Sequence, residues 1–318
     1  MTPHRTSRRD NAGRTGRRGP SPLLSTRRGG ESWTMESKLK RLVVGMDGSA
    51  AAAAALRWAG PLAVGAGAEI VAVNAYENPW SEVTPSDHAH LVSERAELLA
   101  GVWTRPATDA GVSVSTAVRD GDPRVVLLDV AEARDADLVV LGRTGRGGGP
   151  GFLHLGSAVE HVAHHTQRPL AVIPSATPGP IQRIVVGVDG SPESLPAVQW
   201  CAELAVIAHA SVVAVAVQEP YLEWTPSSSA KNWRRDVERE VEEWTGPIAA
   251  AGVEVDHVVQ RDLHPADGLL GVASARNADL LIIGTRGAGG FSGLRAGGVA
   301  MKVLHRSSLP ILLVPPAA

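Results

Sequence analysis

A glycine-rich segment, Gly142–Ser157, is the part of this 318-residue chain best suited to bind a phosphate group. It reads GRTGRGGGPGFLHLGS, follows a short apolar run over 136–141 and precedes a helical pattern that begins at Ala158. Glycine lets backbone N–H groups come close to a ligand, and the N-terminus of a helix carries a partial positive charge. A strand, a glycine loop and a helix in this order therefore predict a phosphate-binding loop.

A second segment of the same kind, GTRGAGGFSGLRAGG, spans Gly284–Gly298. Neither segment contains the Gly-Lys-Ser/Thr triplet of a P-loop, and both follow the fourth predicted strand of their half rather than the first, unlike the dinucleotide fingerprint. Tight-turn packing is the alternative explanation for each. The position, the repetition, Ser157 at the helix start and the basic Arg143 and Arg146 favour phosphate binding.

These two loops belong to a longer internal repeat. RLVVGMDGS at Arg41 matches RIVVGVDGS at Arg183, and the predicted fourth strands match at the same offset of 142 residues. The chain is accordingly predicted to hold two domains, 39–175 and 181–318, joined by a linker at 176–180 with the composition of a turn. Residues 1–38 are rich in Arg and lack periodicity, which predicts a disordered extension. A dispensable extension or an early start codon is favoured there over a nucleic-acid-binding arm or a transit peptide.

Each half alternates short apolar strands with helical patterns. This indicates an α/β fold: two tandem doubly wound domains, each a five-stranded parallel sheet with helices on both faces. If the strand order is 3-2-1-4-5, strands one and four are neighbours. Asp47 after strand one and the loop at Gly142 then lie at the same carboxyl edge, where ligands of such sheets bind.

Asp47 and its repeat Asp189 have two interpretations. Asp-Gly-Ser after a strand is typical of a turn that caps the next helix. An aspartate at this edge can also accept hydrogen bonds from an adenine amine or a ribose hydroxyl. The two roles are compatible, and both stay open.

Together these motifs resemble the universal stress proteins of the ATP-binding kind, most of all the tandem proteins of actinobacteria. The matching elements are V-V-G-x-D-G-S after the first strand and G-x2-G-x9-G-[S/T] after the fourth, and the resemblance covers about 39–316. It implies ATP or a related adenine nucleotide in each domain, with or without Mg²⁺, and pairing through the fifth strands. That pairing would occur within the chain as a pseudo-dimer or between chains as a homodimer.

The resemblance assigns the binding residues one by one. Residues of the first strand element line the adenosine part of the nucleotide. Residues of the glycine loops, and of the last two positions of the G-x2-G-x9-G-[S/T] motif, hold its phosphates. In the first half these are Gly45, Asp47, Gly142, Arg143, Thr144, Gly145, Arg146, Gly147, Gly148, Gly156 and Ser157. In the second half they are Gly187, Asp189, Gly284, Thr285, Arg286, Gly287, Ala288, Gly289, Gly290, Gly297, Gly298 and Val299.

Two departures from the family pattern predict unequal sites. Ten residues rather than nine separate Gly145 from Gly156, and Gly298 stands where Ser or Thr belongs. A lost hydrogen bond to a charged group costs about 1.5–3 kcal/mol, roughly ten- to a hundredfold in affinity. We expect both sites to bind and neither to be fully standard: the second half has the more ordinary spacing, and the first half has the better chemistry.

Composition and charge argue against some classes of function. The net charge is −2, and eight Arg lie in residues 1–34, so the remainder is acidic and no nucleic-acid partner is expected. The chain has no apolar run long enough for a membrane span and no signal peptide, which predicts a cytoplasmic protein. The single cysteine, Cys201, is expected to be buried and inert.

Two further groups are expected to be solvated surface: His161, His164 and His165, although two of them have metal-ligand spacing, and the charged segment 233–244, with ion pairs four residues apart. His154 lies inside the first loop.

The favoured function is a nucleotide-dependent regulatory or stress-response protein that acts on an unknown protein partner. The alternatives are a slow ATPase or another adenine-nucleotide hydrolase or transferase, and a scaffold without nucleotide. No residue pair in the loops suggests dedicated catalysis, so no catalytic residue is assigned.

Overall fold

The computed structural model describes residues 37–77, 85–146, 155–176, 179–218, 230–287 and 296–317. Residues 37–318 belong to one compact unit. Of the predicted extension over 1–38, only the last two residues are among those described. No helix within the described residues is long and apolar enough to cross a membrane.

The first half alternates strands and helices as the sequence predicts. Its strands are β1 (Arg41–Gly45), β2 (Glu69–Tyr76), β3 (Val114–Asp120), β4 (Leu138–Gly142) and β5 (Leu170–Ile173). Its helices are α1 (Ala50–Ala66), α2 (Pro85–Leu98), α3 (Arg105–Asp109), α4 (Pro123–Ala133) and α5 (Ser157–His165), with a π-helical segment at Leu99–Trp103 between α2 and α3.

The second half repeats this order. Its strands are β6 (Arg183–Gly187), β7 (Ser211–Gln218), β8 (Val255–Arg261), β9 (Leu280–Gly284) and β10 (Ile311–Val314). A 3₁₀ turn at Pro192–Ser194 precedes α6 (Leu195–Ala208), and α7 (Ala230–Trp244), α8 (Gly246–Ala250), α9 (Pro265–Ala275) and α10 (Gly298–Arg306) follow.

The ten strands of the described residues form one sheet in the order β3-β2-β1-β4-β5-β10-β9-β6-β7-β8. Within each half the order is the predicted 3-2-1-4-5, and the pairing is parallel. The two halves join through the antiparallel pairing of β5 with β10, in which Ala171 lies opposite Leu312. The fifth strands therefore pair within the chain.

The helices cover both faces of the sheet, because successive strand side chains point to opposite sides. Val43 packs in one core with α4, α5, α9 and α10, and Val44 packs in the other with α1 and α6. Both strand residues are fully buried. This two-sided burial explains why the strands are continuous apolar runs rather than alternating ones.

Two parts of the first half differ from the sequence prediction. A single helix was expected up to Ala110, but the π-helical segment and Pro106 at the start of α3 divide it, because proline has no N–H to donate to the preceding turn. The third strand begins at Val114 rather than Val112. The N–H of Val112 donates to the carbonyl of Ala107, so Val112 belongs to the helix end.

The charged helix α7 is only partly solvated. Val237 and Val241, four residues apart, are buried against the core, while Glu240 and Glu242 are exposed. Its last residue, Trp244, packs on Gly190, as Trp103 packs on Gly48 in the first half. Both glycines have positive φ, so a side chain there would be strained as well as crowded.

Cys201 lies on α6 and is fully buried, as predicted. Burial in an apolar core disfavours the thiolate and raises the pKa of the Cys201 thiol well above its usual range. The thiol therefore stays protonated and inaccessible at neutral and mildly alkaline pH.

We expect no reaction of the folded protein with Ellman's reagent at pH 8, and one thiol per chain once guanidinium chloride unfolds it. The denatured sample is the internal control, because Cys201 is the only cysteine. Rapid labelling under native conditions would contradict the burial.

Candidate functional site

The first candidate site begins with the turn that follows β1. One carboxylate oxygen of Asp47 accepts from the N–H of Ser49 at 2.9 Å, which closes the turn. The hydroxyl oxygen of Ser49 accepts from the N–H of Ala52 at 3.1 Å and caps α1. The helix cap that the sequence allowed for Asp47 is thus made by Ser49, and Asp47 shapes the turn before it.

The other oxygen of Asp47 joins this turn to the glycine loop. It accepts from the backbone N–H of Arg146 at 2.9 Å, across 99 positions of the sequence. A side chain at Gly145 would place its Cβ 2.9 Å from the same carboxylate oxygen. Glycine at position 145 therefore allows the loop and the carboxylate to approach closely. The sequence placed both residues at one edge but did not predict this bond.

The glycines at the strand ends serve packing. A Cβ on Gly45 would lie 2.6 Å from the side chain of Leu141, and one on Gly142 would lie 2.5 Å from the backbone of Ala51. Both positions must stay small so that β1 and β4 can pack against α4 and α1. For Gly142 the packing alternative thus accounts for the residue type, whatever its amide does.

The end of the loop forms the start of α5. The N–H of Gly156 donates to the carbonyl of Arg143 at 2.9 Å, which closes the loop, and Gly156 is the N-cap without a side-chain hydrogen bond to the helix. The first N–H groups of an α-helix have no partner within the helix. Ser157, Ala158 and Val159 carry these groups, and all three residues line a cavity. This first turn is therefore available to an anion.

The cavity has a volume of about 480 Å³, within the usual range for small-molecule sites. One part of its wall is apolar, and the other part contains the loop and helix positions just described. The apolar residues are Met46, Ala52, Val73, Leu127, Leu141, Leu155 and Val159, and the others include Asp47, Thr144, Gly145, Gly156 and Ser157. An apolar chamber next to backbone donors suits a ligand with a flat apolar part and an anionic part.

Apart from Arg143, the predicted residues of the first half fall into three groups: those that line the cavity, one that lines an adjoining compartment, and those that the structure does not describe. Gly45, Asp47, Gly142, Thr144, Gly145, Gly156 and Ser157 all line this cavity. Arg146 lines an adjoining compartment. Gly147 and Gly148, like His154, lie outside the described residues.

The sequence predicted that the Arg143 side chain contacts a phosphate, but in the structure it binds the second half of the chain instead. Its guanidinium is buried and donates to the carbonyl oxygens of Leu304 at 2.8 Å, Ser307 at 2.9 Å and His305 at 2.6 Å. These carbonyls lie at the C-terminal end of α10, where a cation is favoured. Burial lowers the pKa of Arg143, yet an arginine stays charged. Arg143 therefore connects the first glycine loop to the second half.

The second half repeats the geometry with fewer polar side chains. One oxygen of Asp189 accepts from the N–H of Ser191 at 3.1 Å and from its hydroxyl at 2.6 Å, and a Cβ on Gly287 would collide with the other. The N–H of Gly297 donates to the carbonyl of Thr285 at 2.7 Å, as Gly156 does to Arg143. A Cβ on Gly298, at the start of α10, would meet open space.

Several residues of the second half that the sequence predicted to bind nucleotide are packed, buried or exposed elsewhere in the fold. Gly187 and Gly284 pack closely, against Leu269 and against Glu193 and Arg286 respectively. Thr285 is buried, Arg286 is half-buried, and Val299 is exposed on α10. Ala288, Gly289 and Gly290 lie outside the described residues.

Sequence reasoning missed the rest of the cavity wall, above all Val73 and Ala75 of β2 and Pro123 and Leu127 of α4. Strand order could have found the first pair, because β2 neighbours β1 and its carboxyl end must face the same edge. The α4 residues carry no such signal, because their approach depends on how the helix packs on the sheet.

Two of the histidines of α5 stack on one another. The rings of His161 and His165 stack at 4.0 Å, and burial together with the neighbouring His165 lowers the pKa of His161. Among the residues that the structure describes, no group of three or more His, Cys, Asp and Glu side chains could hold a metal ion.

Comparison with known proteins assigns both halves of the chain to one family. A model of the universal stress protein family matches residues 38–174 and again residues 180–315. Universal stress protein Rv2623 of Mycobacterium tuberculosis is 30% identical over 306 residues, and the match covers 86% of this chain and 95% of that protein. Universal stress protein Rv1996 of the same organism is 30% identical over 247 residues, and the match covers 71% of this chain and 74% of that protein.

A solved universal stress protein from Archaeoglobus fulgidus has the same fold. It superimposes with a TM-score of 0.68 at 20% identity and covers 88% of this chain and 100% of its own.

The role of Arg143 can be tested by stability. We expect Arg143→Met to lower the free energy of unfolding by about 3 kcal/mol, because three carbonyl oxygens at the end of α10 lose a charged donor. Urea unfolding followed by circular dichroism measures it. The control is Arg119→Met, an exposed residue on β3, for which we expect a change within about 0.5 kcal/mol. Equal effects of the two substitutions would contradict the assignment.

Proposed function

Because the chain belongs to the universal stress protein family, we propose that its first half binds ATP, with or without Mg²⁺, and that occupancy regulates an interaction with a protein partner. One observation carries the proposal: the carboxylate of Asp47 holds the glycine loop beside the open first turn of α5, at the mouth of an apolar cavity. The chain itself thus supplies an apolar chamber, an acceptor and a set of backbone donors.

The apolar part of the cavity suits an adenine ring. Ala52, Val73 and Leu127 offer aliphatic surface from three different elements, and none of them competes for hydrogen bonds. The carboxylate of Asp47 lines the same cavity. Its two oxygens each accept one backbone N–H, and a carboxylate has about four acceptor positions, so it can also accept from a ribose hydroxyl.

The anionic part of a nucleotide suits the start of α5. Backbone N–H groups at a helix N-terminus and the partial charge there favour a phosphate, and the Ser157 hydroxyl adds a donor. No acid–base pair is required for these contacts, which fits a protein that responds to bound nucleotide rather than one that consumes it.

The second half is proposed to bind the same ligand more weakly. Its turn and loop have the same backbone arrangement, but Gly298 replaces the hydroxyl donor of Ser157. Charge-assisted hydrogen bonds of this kind are worth about 1.5–3 kcal/mol, so the difference is roughly ten- to a hundredfold in affinity.

Nucleotide content tests the proposal directly. The purified chain is denatured, and released nucleotides are identified by mass spectrometry; the nucleotide-free protein is then titrated with ATP in a calorimeter. We expect adenine nucleotide in the first measurement or ATP binding in the second. No retained nucleotide and no binding at millimolar ATP would contradict the proposal. Steady turnover with Mg²⁺ above about 1 per second would favour an ATPase instead.

Substitutions at Ser157 and Gly298, the last residues of the two motifs, test whether the two sites differ in ATP affinity. We expect Ser157→Ala to weaken the tighter ATP site about ten- to a hundredfold, since it removes a hydroxyl donor without altering the backbone. The reciprocal Gly298→Ser should strengthen the weaker site, because a Cβ at position 298 meets no atom within 4 Å.

Calorimetric titration of both variants and of the double variant gives the two affinities. Thermal melting confirms that each variant is folded. A Ser157→Ala variant with unchanged ATP binding would contradict the assignment of this hydroxyl to a phosphate.

A further inference from the structure

A second, polar compartment adjoins the candidate nucleotide cavity in the first half. Its volume is about 530 Å³, and it shares five residues with the first: Asp47, Ala75, Pro123, Ser157 and Ala158. Its own lining adds Asn74, Tyr76, Glu77, Arg95, Asp122, Arg124 and Arg146. Whereas the first compartment is largely apolar, the second contains three arginines.

Arg95 is the arginine that the structure holds in place. It lies on α2, and its guanidinium donates to the side-chain oxygen of Asn74 at 3.2 Å. The same group lies 4.7 Å from the centre of the Tyr76 ring, a cation–π distance. Asn74 is itself buried, and its amide nitrogen donates to the carbonyl of Met46 at 2.7 Å. The cation is therefore oriented by two residues of β2 while it lines the compartment.

The charge of Arg95 is not neutralised by an ion pair in the described part of the chain. Arg124 pairs with Asp122 at 2.5 Å, and Asp47 accepts backbone N–H groups. Glu77 also lines the compartment but is exposed, so water screens its charge. A guanidinium has five N–H donors, and Arg95 uses one of them on Asn74. The remaining donors can serve an anion.

The shared boundary indicates what this anion is. Ser157 and Ala158, at the open start of α5, line both compartments, and they are the residues proposed to contact phosphate. A nucleotide with its base in the apolar compartment and its first phosphate at this boundary has its further phosphates on the polar side. Because Arg95 lines that side, it stands where the distal phosphates of ADP or ATP would extend.

We propose that Arg95 is a specificity-determining residue, which binds the distal phosphate of a nucleoside di- or triphosphate and makes the first half prefer ATP over AMP. This inference rests on the proposed nucleotide function. The preference belongs to the first half, because the second half replaces its supports: Ala216 and Gln218 occupy the positions in β7 that Asn74 and Tyr76 occupy in β2.

Calorimetric titration of the full-length chain with ATP, ADP and AMP at one salt concentration tests the proposal. In Arg95→Gln we expect ATP affinity at the tighter site to fall about ten- to a hundredfold and AMP affinity to stay unchanged, because only the distal phosphate loses a charged donor. Arg95→Lys, which keeps the charge, should retain part of the ATP preference. The matched control is Arg105→Gln, an exposed arginine of α3 paired with Asp109, which should bind all three nucleotides as the parent does.

The outcomes separate the two proposals. If the parent chain binds no adenine nucleotide, the proposed function fails and this inference fails with it. If the parent binds but Arg95→Gln weakens ATP and AMP equally, or weakens neither, the nucleotide function stands and the role of Arg95 is overturned. A loss confined to ATP and ADP supports it. Melting temperatures of all variants show that the comparison is made on folded protein.

Discussion

The parallel pairing of β1 with β4 is the constraint on which the site depends. It places Leu42 beside Leu138 and Val44 beside Val140, so both strands end together at one edge of the sheet. The Asp47 turn and the glycine loop, about a hundred residues apart in sequence, can then meet through one hydrogen bond. Since β6 pairs with β9 in the same way, the second half has the same arrangement.

The two halves are joined by one pair of strands and by one buried arginine. The antiparallel contact of β5 with β10 makes one ten-stranded sheet, and Arg143 extends this contact from the first glycine loop to the end of α10. The corresponding residue of the second half is Thr285, too short to make three such bonds. The repeat is thus symmetric in its backbone and asymmetric in the side chains of its loops. Ser157 against Gly298, and Asn74 against Ala216, extend the same asymmetry to the candidate sites.

The sequence could predict most helix and strand positions, because these follow from apolar periodicity and the repeat, and the family resemblance supplied the strand order. Of the first cavity it could predict the wall formed by the Asp47 turn and the glycine loop, but not the part that β2 and α4 contribute. It could not predict the target of Arg143, whose basic side chain beside glycines looked like a phosphate ligand but is buried at a helix end. Nor could it predict the support of Arg95 by Asn74 and Tyr76, since that contact depends on how α2 packs over β2. Sequence patterns indicate which residues lie on a buried face or at the carboxyl edge of the sheet. The direction of a long side chain depends on tertiary packing.

We propose that one chain holds two nucleotide sites of unequal affinity, the tighter in the first half. Native mass spectrometry of the full-length chain during an ATP titration counts the nucleotides bound per chain. We expect a single-nucleotide species over roughly one to two decades of ATP concentration, before a second nucleotide binds. We also expect that Asp47→Ala removes the first binding step, while the matched Asp189→Ala removes the second. Two nucleotides bound together with equal affinity, or none at any concentration, would contradict the proposal.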